Sequence, residues 1–313
     1  MDTEQTLSST VEFLSALYQY KRFPKVIKHS LYRKLRRRGF TPSEEFEINF
    51  FGLQYKGNVK NQIDADVYFY GGFEKPMLFF LRDFMAMTPG IFVDVGANVG
   101  NHSLFMSLYS QHVHSFEPFP PVLEKMTSLV EINQLENITI HEVALGDEEG
   151  VIPFYAPPEE SLGGGSFIES VALKHGERPV VDLPVVRGDD YFASQQIDSF
   201  SAIKIDVEGY EIPVLKGLKS TLDNVRPLVV TEVTHGASDV ISTTTDIKAF
   251  LPDDYELYRF KNQDDRLFRN QNRATKRTGR YQLVPVAEKV RKKRADVVAC
   301  PRELLDKLPG TNR

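Results

Sequence analysis

The stretch Ile91-Phe92-Val93-Asp94-Val95-Gly96-Ala97-Asn98-Val99-Gly100-Asn101-His102-Ser103 decides how the rest of the chain is read. Ile91 to Val95 is a short apolar run rich in β-branched residues, the kind that forms a strand buried on both faces. Gly96 ends it and Gly100 follows. From Asn101 the apolar residues Leu104, Phe105, Leu108 and Tyr109 recur at helical spacing. A strand, a glycine turn and a helix in this order bind ligands at the carboxyl end of the strand, where glycine lets a ligand approach the backbone N–H groups. A dinucleotide site would read G-x-G-x-x-G, with the pyrophosphate on the helix N-terminus. Here the run is D-x-G-x-N-x-G, and a carboxylate at Asp94 would repel a pyrophosphate. It suits a cation. S-adenosylmethionine carries an α-ammonium, a sulfonium and no phosphate, so the spacing favours it over NAD.

Composition sets the outer bounds. The 313 residues allow one large or two modest domains, and 41% hydrophobic with 26% charged residues is a balance able to bury a sizeable core. A net charge of −5 excludes a protein that is basic over its whole surface, so nucleic acid is not the expected partner. Cys300 is the single cysteine, which rules out an intrachain disulfide and points to a reducing compartment. Asp2 and Glu4 precede the first basic residue, Lys21, against the pattern of a secretory leader. No apolar run approaches the ~20 residues of a spanning helix. The expectation is a cytoplasmic protein.

Upstream of the glycine turn, Leu7, Val11, Leu14 and Leu17 predict an amphipathic helix over 5–20. Residues 21–38 hold nine Lys or Arg and no acid, ending in Arg33-Lys34-Leu35-Arg36-Arg37-Arg38. A solvated helix face is the ordinary explanation for such a run, and contact with anionic lipid headgroups or a phosphorylated glycan is the functional one. Residues 46–70 read as extended, and a helix from about Glu74 to Met87 leads through Thr88-Pro89-Gly90 into the first central strand.

Downstream, His112 to Glu117 reads as a second strand ending in an acid, placed where a carboxylate accepts both ribose hydroxyls of an adenosine ligand. Pro118, Pro120 and Pro121 open a helix running to Asn133, Ile138–His141 is a third strand, and Asp147 follows where it could face an adenine amino group. Val151–Tyr155 and Val180–Val186 pair as antiparallel strands around the loop Ser161–Ser166, either a plain connector or a flap. Asp189–Gln195 is a short helix, and Ala202–Glu211 is a buried strand closing in a dense acidic turn. A helix over 211–222, a strand over 228–233, helix over 244–250 and a strand over 255–260 come next. Residues 261–294 are polar and strongly basic, which reads as a long excursion, and residues 295–301 return as a last strand. Alternating strands and helices predict an α/β, doubly wound, mostly parallel sheet.

Four strand ends carry acids: Asp94, Glu117, the pair Asp206 and Glu208, and Glu232. A lone acid there is often a helix cap or a solvated turn. Several at one edge of one sheet make a pocket. Asp206, Glu208 and Glu232 with His235 supply candidates for a general base acting on a hydroxyl, or equally for ligands of a divalent cation. His102 reads as a residue that starts a helix.

With these segments assembled, the chain resembles the FkbM family of S-adenosylmethionine-dependent methyltransferases. The resemblance rests on Phe92–Gly100, Phe116-Glu117-Pro118, Ala144-Leu145-Gly146-Asp147 and, most diagnostically, Ile203-Lys204-Ile205-Asp206-Val207-Glu208-Gly209-Tyr210-Glu211. It covers roughly residues 60–300. It implies a class I methyltransferase, Rossmann-like, with a seven-stranded sheet whose last strand is antiparallel. On that resemblance Asp94, Gly96, Asn98 and Gly100 line the methionine end of the cofactor, Glu117 holds the ribose, Asp147 lies near the adenine, and Asp206 sits beside the methyl group with Glu208 behind it. The implied reaction is O-methylation of a sugar, glycan or other natural-product-like acceptor, with Asp206, Glu208 or His235 relieving the charge on the nucleophile. The expected division is an N-terminal basic extension over 1–60, a methyltransferase domain over 61–301 with a basic insert at 261–294, and a tail at 302–313. A nicotinamide oxidoreductase, a non-catalytic adenosyl-ligand scaffold and an RNA methyltransferase are the competing readings. The first lacks G-x-G-x-x-G, the second has no use for the Asp206–Gly209 turn, and the third lacks an evident stacking platform.

Overall fold

A computed structural model describes residues 9–20, 23–157, 165–169, 180–234, 244–261, 275–286 and 294–311. The chain divides into two compact units, residues 1–73 and 74–313. The first holds helices α1 (Ser9–Gln19) and α2 (Lys25–Arg36), the hairpin strands β1 (Glu45–Phe50) and β2 (Leu53–Asn58), and helix α3 (Gln62–Tyr70). Val11, Tyr18, Leu31, Leu35 and Val59 are among the residues of its core. Lys28 is buried there by pairing with Glu44 at 2.5 Å. Helix α3 corrects the sequence reading, which took 62–70 as extended on its aromatic and β-branched content. The ends decide against strand: the Asn61 side chain accepts from the amides of Ile63 and Asp64, and Gly71 closes the helix in the left-handed region at φ 81°.

The second unit runs through helix α4 (Lys75–Met87), strand β3 (Ile91–Val95), helix α5 (Asn101–Ser107), strand β4 (His112–Phe116) and helix α6 (Pro120–Ile132). Strands β5 (Ile138–His141), β6 (Ala144–Gly146), β7 (Gly150–Tyr155) and β8 (Val180–Arg187) follow, then helix α7 (Gly188–Ser194) and strand β9 (Ala202–Ile205). Helices α8 (Glu211–Gly217) and α9 (Lys219–Val225) precede strands β10 (Leu228–Thr234), β11 (Tyr255–Phe260), β12 (Leu283–Pro285) and β13 (Arg294–Pro301). The single helix expected over 211–222 is therefore two. The joint falls at Gly217, whose backbone lies so close to the carbonyl of Gly146 that a Cβ there would stand 1.8 Å from its oxygen.

Among the described residues eight strands form one sheet in the order β12-β11-β13-β10-β9-β3-β4-β5. Strands β5, β4, β3, β9 and β10 run parallel, and β13 inserts antiparallel between β10 and β11. This is the mostly parallel α/β sheet that the alternation predicts, with the seven strands that the family resemblance implies and one short strand, β12, added at the edge from inside the basic segment. The antiparallel pair β7–β8 forms as expected, in a separate three-stranded sheet with β6. Chain order runs outward from β3 through β4 to β5, and outward the other way from β9 to β10. The two progressions meet between β3 and β9, so the crevice at their carboxyl ends is where an open α/β sheet binds its ligand. No helix among the described residues is long and apolar enough to cross a membrane.

Candidate functional site at the β3–β9 switch point

At the switch point the turn after β3 is tied down from both sides. Gly96 N and Ala97 N both donate to the carbonyl of Phe116, and Asn98 N donates to Glu117 Oε2 at 2.9 Å. These N–H groups, expected to face a ligand, are thus used to fasten the turn to the end of β4. The glycines serve close packing instead. Gly96 sits at φ 76°, and a Cβ there would lie 2.0 Å from the backbone oxygen of Asp206. Gly100, at φ 81°, leaves room for the Met126 side chain. Asn98 occupies the left-handed region at φ 52°, a conformation that asparagine tolerates better than most residues.

Beneath this turn lies a buried charge cluster. Asp94 is fully buried rather than at the mouth of the turn: Ser103 Oγ donates to its Oδ2 at 2.6 Å, and Lys204 Nζ stands 3.5 Å from its Oδ1. Lys204 is only 3% exposed and reaches Asp206 Oδ2 at 3.3 Å as well. Burial would drive a lysine toward neutrality, but the carboxylates of Asp206, Asp94 and Glu74 more than reverse it and hold the ammonium above the usual lysine range. In register, Asp94 lies beside Lys204 on the neighbouring strand, and Glu232 on β10 lies opposite Asp296 on β13.

Glu117 is 7% exposed and bridges two loops, its Oε1 accepting from Phe119 N at 3.0 Å. Burial pushes its carboxyl up to about 7 against the opposing pull of those two amide hydrogen bonds. Glu211, at the start of α8, closes the acidic turn by accepting from the amides of Val207 and Gly209, and burial raises it to about 7 too. A pocket opens above these groups, lined by Gly96, Asn98, Glu117, Phe119, Phe154, Phe167, Asp206 and Glu208 among others. The three phenylalanines form a continuous wall, with ring centroids 5.3 Å apart for Phe119–Phe154 and 5.0 Å for Phe154–Phe167. Ser166 donates its hydroxyl to the carbonyl of Glu208 at 2.7 Å, so the described end of the 161–166 loop is tied to the acidic turn after β9. Residues 161–164 lie outside the described residues.

The structure thus brings Gly96, Asn98, Glu117, Asp206 and Glu208 to one pocket, with Asp94 and Gly100 supporting it from behind. Asp147 faces elsewhere, 3.9 Å from Lys216, and does not line the pocket. His235 lies outside the described residues. Asp206, Glu211 and Glu232 offer oxygens within 4.8 Å of one another, a donor set that suits a hard divalent cation. Lys204 already answers Asp206, however, and two amides already answer Glu211. Sequence reasoning gave no role to Lys204 or Glu211, and His102 lies in the first turn of α5 as read from the sequence. Lys204 had a signal: a lysine inside a strand whose other residues are all apolar must find an anion.

The pocket's donor set accepts an adenosyl sulfonium ligand. Glu117 keeps spare lone pairs for a diol, the aromatic wall offers a face to a purine, and the two acids at the opposite side favour a cation. No basic side chain is among the described lining residues, which disfavours a pyrophosphate.

Comparison with known proteins agrees. Residues 94–267 match the profile of the Methyltransferase FkbM domain. The hexuronic acid methyltransferase AglP of Haloferax volcanii is 30% identical over 142 residues, 44% of this chain and 53% of that protein. The 31-O-demethyl-FK506 methyltransferase FkbM of Streptomyces tacrolimicus is 29% identical over 169 residues, 45% of this chain and 64% of that protein. The chain therefore spans about half to two thirds of the length of these relatives. A crystal structure of methyltransferase FkbM from Methylobacillus flagellatus matches at 21% identity over 53% of this chain and 38% of that one, with a TM-score of 0.37.

Replacing Lys204 by Met strands a fully buried carboxylate, at an expected cost of about 3–5 kcal/mol. Urea unfolding checks this, and Asp94→Asn added to Lys204→Met restores part of the loss. Equal stability of Lys204→Met and wild type would show that the cluster is not held by its lysine.

Proposed function

Because the chain belongs to the FkbM methyltransferase family, we propose that it transfers the methyl group of S-adenosylmethionine to a hydroxyl of a sugar or other natural-product-like acceptor. The observation that carries this reading is the pocket at the switch point, acidic at two places, aromatic along one wall and without a basic lining side chain among the described residues. The cofactor, when bound, supplies an electrophilic methyl on a sulfonium. Glu117 takes the ribose hydroxyls on the lone pairs that its two amide donors leave free. Phe119, Phe154 and Phe167 take the purine face. Asp206 and Glu208 favour the positive charge, and Lys204 fixes the Asp206 carboxylate before any ligand arrives. Such fixed charge needs no rearrangement during the reaction, and holding acceptor and methyl at near-attack distance supplies most of the rate gain. The relatives named for a hexuronic acid and for 31-O-demethyl-FK506 support a hydroxyl-bearing acceptor class.

The N-terminal unit carries a surface proposal of its own. Helix α2 exposes Val26 and Ile27 on the surface that also carries exposed Lys34, and Arg37 and Arg38 follow directly. Among the described residues no acid pairs with these three cations. Apolar residues beside several cations suit an anionic lipid surface. Vesicles containing phosphatidylserine should co-sediment the protein at low salt, and Arg36–Arg38→Ala should release it. Binding that is indifferent to these arginines would contradict the contact.

Calorimetric titration with S-adenosylhomocysteine and with NAD tests the main reading. The homocysteine ligand should bind, NAD should not, and Glu117→Ala should weaken binding at least tenfold. Ribose hydroxyls donate to the ionised carboxylate, whereas below about 7 Glu117 carries a proton in the ligand-free protein. Affinity should therefore fall about tenfold per pH unit below that point and stay flat above it. NAD binding in place of the adenosyl ligand, or a pH-independent affinity, would overturn the assignment.

A further inference from the structure

The segment 165–167 meets the acidic turn after β9 at the wall of the pocket. Gly165 and Phe167 line the pocket on either side of Ser166, and Asp206, Val207 and Glu208 line it from the turn. Ser166 itself is buried, at 1% exposure. Its backbone pairs with Tyr155 at the end of β7 in both directions, at 2.9 and 3.2 Å. The Phe167 ring stands 5.0 Å from that of Phe154 and 5.1 Å from that of Tyr210. Gly165 lies so close to Phe154 that a Cβ there would stand 2.1 Å from its ring. The segment is thus anchored to β7 and forms part of the aromatic wall.

The turn it touches is strained. Glu208 has φ 52°, in the left-handed region, and Gly209 follows at φ 104°. Asn98, which also lines the pocket, shares the left-handed region, but asparagine enters it readily and glutamate does not. Such a conformation persists only where its surroundings hold it, and it gathers at functional sites. Here Asp206 N donates to the carbonyl of Val95 at 3.0 Å, which fixes the start of the turn. Val207 N and Gly209 N donate to Glu211 Oε1, and the carbonyl of Glu208 accepts the Ser166 hydroxyl at 2.7 Å. The peptide unit between Glu208 and Gly209 is therefore gripped at both ends, its N–H by Glu211 and its carbonyl by Ser166. Ser166 Oγ has one proton to give and gives it to this carbonyl, while the amide of Ile168 donates to the oxygen at 3.0 Å. Glu211 belongs to the helix that the turn leads into, whereas Ser166 reaches it from 42 positions earlier.

We propose that Ser166 is a positioning residue for the methyl donor: its hydroxyl keeps the strained Glu208 backbone at the pocket wall, and so sustains the preference of the site for a sulfonium over a thioether. The inference rests on the methyltransferase reading and deepens it. One hydroxyl joins the wall that takes the purine to the acids that favour the cation. Its removal takes a donor from the Glu208 carbonyl and lets the turn relax out of the left-handed conformation, which carries the carboxylate charge away from the pocket. The Gly/Ser loop is then more than a connector, because its last residue sets the charge that the donor meets.

Calorimetric titration with S-adenosylmethionine and with S-adenosylhomocysteine, in the absence of acceptor, tests this. The two ligands differ only in the methyl group and the charge it places on sulfur. In Ser166→Ala the affinity for S-adenosylmethionine should fall about fivefold more than that for S-adenosylhomocysteine, the size expected for one carboxylate lost beside a cation in a solvated pocket. Glu208→Gln should show the same selective loss, and the double variant should lose no more than Glu208→Gln alone. A segment that only supports the aromatic wall would cost both ligands equally, so an unchanged ratio in Ser166→Ala overturns the proposal. Losses that add in the double variant also overturn it. If Ser166→Ala does not fold, Ser166→Cys keeps the shape with a weaker donor and must show the selective loss, and an unchanged ratio there overturns the proposal as well. Failure of wild type to bind either ligand would defeat the methyltransferase reading itself, and the proposal with it.

Discussion

A single buried ammonium holds the centre of this protein together. Lys204 lies on a strand whose other residues are all apolar and buried, and it survives there only because Asp94 and Asp206 stand 3.5 and 3.3 Å away. The lysine makes the acids tolerable, since removing it leaves the buried Asp94 carboxylate without a cation in a dry interior. The same contact joins β3 to β9, the pair at which the sheet reverses its direction of growth. Gly96 completes the join, because only a residue without a Cβ lets the turn after β3 touch the backbone of Asp206. The crevice is thus built from the charge cluster upward.

This arrangement also selects what the crevice can hold. The polar side chains at its wall are acids or an amide, and the lysine is spent beneath them. Among the described lining residues a phosphate would meet carboxylates with no cation to answer it, whereas a sulfonium or ammonium meets charge of the right sign. Glu117 contributes differently. Two backbone amides orient it without satisfying it, so lone pairs remain for the diol of the proposed ligand, and burial raises its carboxyl to about 7.

The sheet was legible in the sequence wherever burial on both faces leaves an unbroken apolar run, as in Ile91–Val95 and Ala202–Ile205, and Glu117 and Asp206 followed from their places at strand ends. Misreadings came where a contact distant in sequence or a cap overrides the local pattern. Residues 62–70 look like a strand by side-chain type but are set as a helix by Asn61 and Gly71. For Asp94, nothing local reveals that Lys204, 110 positions later, pairs with it and that it is fully buried. Glu74 and His102 meet across 28 positions, and no spacing rule joins the start of one helix to the start of another.

The most direct test of the account is a crystal structure of the protein with S-adenosylhomocysteine. The account predicts the ribose hydroxyls on Glu117, the purine against Phe119, Phe154 and Phe167, and the sulfur on the Asp206 side, with Lys204 still between Asp94 and Asp206. Ligand seated in the groove between α6 and β8, or Lys204 swung away from Asp94 to meet it, would contradict the claim that this charge cluster builds the binding site.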